Sequence, residues 1–171
     1  MDGAVSGTVG SGVAGAIQLL LLGLYPALLC ACIGTDLARR IIPNAIVAAL
    51  ILAFAMVAAM APLPDLSLRI LVAMAVTGLG FSLFAENIIG AGDAKLAGAL
   101  MLWLDPLQVP LFILCAGLIG AALSVASAAS GRMAGMMGER SAFARQASLP
   151  YGVALAGAGL LLHPFSSLMQ G

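Results

Sequence analysis

LSLRILVAMAVTGLGFSLFA, residues 66–85, decides how this chain folds. It carries one charge, Arg69, near one end. A run of about 20 apolar residues is what a helix needs to cross the hydrocarbon core of a bilayer. The reading repeats outward in both directions. Apolar runs extend from about Ala16 to Thr35 and from Ala45 to Ala61, the latter stopping before Pro62 and Pro64. Others run from Ala94 to Leu104, from Leu107 to Ala128, and from Tyr151 to His163.

The whole composition agrees. Of 171 residues, 63% are hydrophobic and 8% charged, with mean hydropathy +1.15. A soluble domain carries about 25% charged residues, so this chain cannot cover a water-facing surface. The expected fold is an all-α integral membrane protein, a polytopic bundle of about six transmembrane helices. It forms a single domain over residues 1–171, with a flexible N-terminus at 1–15 and a cytoplasmic loop at 129–150. The N-terminus has no Lys or Arg before the first apolar run, unlike a secretory signal peptide, so that run reads as a retained helix.

Basic residues orient such a bundle. Six alternating helices put Arg39, Arg40, Lys95, Arg132, Arg140 and Arg145 on one side and Arg69 alone on the other. The rich side is expected to be cytoplasmic, with both termini outside. Net charge is zero, so no basic surface points to nucleic acid. Cys30, Cys32 and Cys115 lie in apolar runs without a C-x-x-C pair. They read as small apolar helix residues, and no metal or cofactor is expected.

Against this background two carboxylates stand out, Asp36 and Asp93, both on the expected cytoplasmic side. An ionisable side chain near lipid depth is costly and marks function by default. The helix expected at Ala94 to Leu104 spans only about half the hydrocarbon, which places Gly90 to Asp93 in irregular backbone near the membrane. Such backbone needs protein or water around it, so a wet cavity is expected at Asp93. Two carboxylates in one site share a proton. One can take a proton from water while the other donates to a carbonyl oxygen, which is acid–base hydrolysis of a peptide bond.

The neighbours suit that reading. Gly90 and Gly92 permit close backbone approach. Pro43 ends the helix that holds Asp36, and Asn44 is placed to cap the next. Arg39 and Arg40 stand three and four residues after Asp36, within reach of it or of lipid phosphates. Glu86 lies seven residues before Asp93 and reads as a solvated helix-end charge. No G-x-S-x-G or H-E-x-x-H occurs, and the one histidine, His163, is expected at the far membrane interface.

Three blocks carry a resemblance. Asp36, Arg40, Ile42, Pro43 and Asn44 are similar to a D-x-x-x-R-x-I-P-N pattern. Gly90, Gly92, Asp93, Lys95 and Leu96 are similar to G-x-G-D-x-K-L. Leu149, Pro150, Tyr151 and Gly152 are similar to an L/I-P-Y-G block. Together they resemble the type IV prepilin peptidases, closest to the short form associated with Flp-type, tight-adherence pili. The resemblance implies an aspartic endopeptidase of the bacterial inner membrane with Asp36 and Asp93 as catalytic pair. Gly90, Gly92, Lys95, Arg40, Pro43, Asn44, Pro150, Tyr151 and Gly152 would support them. It implies a prepilin substrate with a basic cytoplasmic leader and an apolar helix in the bilayer, and an indirect link to pilus assembly. Long members carry paired C-x-x-C motifs linked to N-methylation; their absence implies cleavage without methyl transfer. Asp105 stands where the resemblance leads one to expect a glycine.

Other readings use the same residues. A proton- or cation-coupled transporter could bind its ion at the two carboxylates, although only one short interrupted segment is present where inverted repeats would supply two. A non-catalytic assembly subunit would not need them. The presenilin-type G-x-G-D proteases share one motif and lack the others.

Overall fold

The computed structural model describes residues 15–63, 65–136, 151–166 and 168. The expected flexible N-terminus, Pro150, Arg140 and Arg145 lie outside the described residues, as does all but the start of the expected loop. The described residues form six helices and no strand: α1 (Gly15–Arg39), α2 (Asn44–Met60), α3 (Leu66–Ala85), α4 (Ala91–Trp103), α5 (Val109–Met136) and α6 (Tyr151–Leu162). A 3-10 turn, Pro106–Gln108, precedes α5, and another, His163–Phe165, follows α6. The long stretches Gly15–Arg39, Leu66–Ala85 and Pro106–Ala129 are long and apolar enough to cross a membrane, and two shorter apolar helices accompany them.

The short helix α4 sits at the centre. It packs on α3 above all, then on α2 and α6, while α1 packs on α6 and α2 and α5 packs on α6. Leu96, Leu100, Met101 and Trp103 of α4 are fully buried or nearly so. Because lipid is as apolar as these side chains, their packing rather than their hydrophobicity holds the bundle. Small residues set the closest approach. A Cβ on Gly80 of α3 would stand 2.8 Å from the Ala94 Cβ, and one on Gly98 of α4 would collide with the Thr77 hydroxyl. The outward faces are oily, with Leu52, Leu71, Met74, Ile113, Leu118 and Val125 all largely exposed. Such continuous apolar exposure is what a lipid-facing surface shows.

Local sequence explains the irregularities. α1 widens to a π-helical segment at Leu19–Leu24, where the Tyr25 N–H reaches back to the Leu20 carbonyl. Pro26 follows at once, and its missing N–H and bulky ring disfavour an undisturbed α register there. At the end of α1, Arg40 adopts a left-handed conformation (φ 54°) and Pro43 an extended one, turning the chain into α2. Pro43, not Asn44, takes the N-cap position of α2, and no side chain caps it, so the capping expected of Asn44 is not realised.

The end of the bundle away from Asp93 is polar inside. Arg69, 1% exposed, donates to the Leu104 carbonyl (2.8 Å) and the Leu102 carbonyl (3.3 Å) and pairs with Asp105. It thereby satisfies the carbonyls left open at the C-terminus of α4. His163, expected at the far membrane interface, is buried at this end. Its ring stacks on Tyr25 at 4.3 Å, and Tyr25 meets Trp103 at 4.6 Å. Trp103 donates to the Leu50 carbonyl (3.2 Å), tying α4 to α2.

Candidate active site

Asp36 occupies the last turn of α1 and is 5% exposed. Helix α1 continues past the Thr35 boundary expected from hydropathy, which turns Asp36 inward. Its Oδ2 accepts the backbone N–H of Val153 at 3.0 Å. Val153 lies in the first turn of α6, where N–H groups have no partner within the helix and the helix dipole favours an anion. Asp93 has a parallel arrangement on α4. It stands third in that helix, and its Oδ2 accepts the Gly90 N–H at 3.2 Å, reaching back over the helix start. Each carboxylate is therefore held at a helix N-terminus, Asp36 at that of a helix distant in sequence and Asp93 at that of its own.

The irregular backbone expected at Gly90 to Asp93 lies one turn earlier, at 86–90. Gly90 is the extended N-cap and the helix begins at Ala91, because the Asp93 side chain supplies the reach-back bond that starts it. Asn87 takes a left-handed conformation (φ 58°), which asparagine tolerates better than most residues.

The two carboxylates line one cavity of about 580 Å³ and interact electrostatically across it. Arg40, Ile41, Ile42, residues 87–92 and Tyr151 complete its wall. This is the cavity expected at Asp93. Three glycines shape it. A Cβ on Gly90 would stand 2.9 Å from Asp93 Oδ2, and one on Gly92 would stand 3.2 Å from Ile42 Cβ. A Cβ on Gly152 would stand 2.8 Å from both Asp36 Oδ2 and Ile42 Cδ1. Ile42 is thus a wedge between the N-termini of α4 and α6, the two helices whose first turns hold the carboxylates.

The structure therefore gathers Asp36, Asp93, Gly90, Gly92, Arg40, Tyr151 and Gly152. It does not bring Lys95 or Asn44 into the cavity. Lys95 Nζ donates to Asn44 Oδ1 at 3.2 Å, and both line a separate groove of about 430 Å³ between α2, α3 and α4. Arg39 and Arg40 are exposed, and the hydrogen bond to Asp36 comes from α6 rather than from either guanidinium. Glu86 is exposed at the end of α3. Pro43 shapes the turn beside the cavity without lining it. Sequence reasoning gave no role to Ile42 or to the Val153 amide. The signal for Ile42 was its place in the same block as Asp36; for Val153 there was none. Among the described residues no group of three His, Cys, Asp or Glu side chains is placed to hold a metal ion.

An apolar helical bundle with a polar cleft at one end defines an all-α membrane protein with a site for polar chemistry. Residues 23–125 match the model of the type IV leader peptidase family, and the chain belongs to that family. It is accordingly a protease of the leader-peptidase kind, and the family implies a prepilin substrate. No curated protein and no solved structure matches the chain.

Proposed function

We propose that Asp36 and Asp93 form the catalytic pair of an aspartic endopeptidase that removes the basic leader of Flp-type prepilins at the cytoplasmic membrane face. One observation carries this reading: the two carboxylates line a single cavity, each anchored at a helix N-terminus. That anchoring holds them in place through backbone N–H groups, and among the described residues neither carboxylate forms an ion pair. The pair retains one proton between its members. The ionised carboxylate draws a proton from water, whose oxygen attacks the scissile carbonyl carbon. The protonated carboxyl donates to the carbonyl oxygen, giving a tetrahedral gem-diol. Collapse of that intermediate breaks the C–N bond, with the proton delivered to the departing amine. No covalent enzyme intermediate forms.

The supporting groups act through this pair. Gly90 and Gly92 let backbone approach Asp93, and Gly152 lets α6 approach Asp36 closely enough to donate its amide. Tyr151 and the exposed Arg40 line the same space. The reading places the chain in the bacterial inner membrane, with both termini outside and the cleft facing the cytoplasm, and the excess of Lys and Arg in the loops on that side supports this orientation. The three cysteines form no C-x-x-C pair, which supports cleavage without N-methylation.

The test is co-expression of the chain with a Flp-type prepilin carrying a C-terminal tag, followed by N-terminal sequencing and mass measurement of the product. The reading expects removal of the leader at one bond and an unmethylated new terminus. An unprocessed prepilin in the presence of membrane-inserted wild-type protein contradicts it.

A further inference from the structure

A second cavity, of about 350 Å³, opens from the aspartate cleft and shares Ile89, Asp93 and Tyr151 with it. It runs along the gap between α4 and α5 and is floored by α6 at Ala154 and Leu155. The gap exists because α5 packs on α6 and on the turn before it, with no extensive packing against α4 among the described residues. On the α5 side the wall spans Ala116 to Ser124, about 12 Å or two helical turns.

That wall is made of small residues, Gly117, Gly120 and Ala121 among them, faced by Ala97 of α4. Within lipid, small residues are used where one helix must come close to another. Gly80 and Gly98 are two such positions with a neighbouring helix packed against them. Here no helix covers the face among the described residues. Among them a Cβ on Gly117 would meet nothing within 4 Å, and one on Gly120 would first meet the Ala154 Cβ at 3.8 Å. The groove is apolar along its length and polar only at the Asp93 end. An occupant that fits both parts is one continuous chain, with a peptide bond at the aspartates and an apolar helix descending from it.

We propose that the groove between α4 and α5 seats the membrane-inserted helix of the substrate, so that the scissile bond is presented to Asp36 and Asp93 by helix packing one to three turns away. This rests on the proteolytic reading above and adds to it where the substrate lies and which residues select it. Small residues on the enzyme side call for large aliphatic side chains on the facing side of the substrate helix. The aspartates then act only on chains whose helix fills the groove, which separates recognition from chemistry.

The experiment compares wild type, Gly117→Leu and the control Leu118→Trp in proteoliposomes. Gly117→Leu projects a side chain into the groove from a position whose Cβ meets no described neighbour within 4 Å, and Leu118, which does not line the groove, is 62% exposed. Two substrates are used: a full prepilin, and a short peptide with the leader and cleavage point but no apolar helix. A photoreactive residue placed at Ala121 reports on the occupant. The proposal expects Gly117→Leu to raise KM for the prepilin at least about tenfold with little change in kcat. It also expects cleavage of the short peptide at the wild-type rate, an unaffected control, and cross-links from position 121 to the apolar helix of the prepilin. Unchanged KM for the prepilin in Gly117→Leu, or cross-links from position 121 to lipid alone while the prepilin is being cut, overturns the groove. Failure of the wild type to cut the prepilin overturns the proteolytic reading instead.

Discussion

Replacing Gly152 by alanine places one methyl group against the site. The added Cβ would stand 2.8 Å from Asp36 Oδ2, 3.0 Å from its Cγ and 2.8 Å from Ile42 Cδ1. Relaxed contacts between such atoms lie at about 3.5 Å, so two neighbours must retreat by roughly half an ångström or more. Ile42 can turn its terminal methyl. Asp36 cannot move freely, because the same oxygen accepts the Val153 N–H at 3.0 Å from the adjoining residue. Retreat of the carboxylate stretches that bond, and a hydrogen bond to a charged group contributes about 1.5–3 kcal/mol. Overpacking of this kind costs about 1–3 kcal/mol in stability. The effect on rate is larger in kind, since a misplacement of about 1 Å at reacting groups costs on the order of a hundredfold. Gly152→Ala should therefore lower kcat by roughly 30- to 100-fold, with KM within about threefold of wild type. The assay is prepilin cleavage by purified protein in detergent, read as the mobility shift of the substrate on a gel. Ile42→Val, which removes the clashing Cδ1, should recover part of the loss in the double variant. Cleavage by Gly152→Ala within about threefold of the wild-type rate would refute the reasoning.

Other substitutions test the remaining contacts. Gly92→Ala meets Ile42 Cβ at 3.2 Å, a milder encounter, and should cost about tenfold in kcat, with Gly92→Val costing more. Asp105→Ala removes the partly buried carboxylate that pairs with Arg69 and should lower the melting temperature in detergent, since a hydrogen bond between charged groups contributes about 1.5–3 kcal/mol; cleavage well below the melting point should be unchanged because Asp105 lies at the other end of α4 from Asp93. Lys95→Ala removes an exposed contact to Asn44 outside the aspartate cavity and should keep cleavage within about fivefold of wild type, in the same assay, whereas a larger loss would mean that Lys95 reaches the substrate.

The helix at 66–85 was legible residue for residue, because an apolar run of membrane thickness with a single charge near one end has few other conformations available. Asp36 and Asp93 were legible through cost, since a carboxylate in so oily a chain needs a reason to be there. The cavity at Asp93 followed from the shortness of α4. What joins the two aspartates was not legible. Ile42 meets Gly92 and Gly152, and Asp36 meets Val153, across separations that no periodicity within one helix encodes. The burial of His163 was not legible, because its stacking partner, Tyr25, lies on the first helix. The Arg69–Asp105 pair was hidden in the same way, and it accounts for an aspartate where a glycine was expected. Lys95 shows a signal left unused: two residues beyond Asp93 on a helix, it must project to a different face.

The central claim is that Asp36 and Asp93 act as one unit on water. The most direct measurement is the pH dependence of kcat/KM for prepilin cleavage by purified wild type, Asp36→Asn and Asp93→Asn, each checked for intact folding in detergent. The account predicts a bell-shaped profile for the wild type, from one carboxyl that must hold its proton and one that must lose it, and loss of at least about a thousandfold at every pH in either variant. Cleavage at the wild-type rate by Asp36→Asn or by Asp93→Asn at any pH would contradict it.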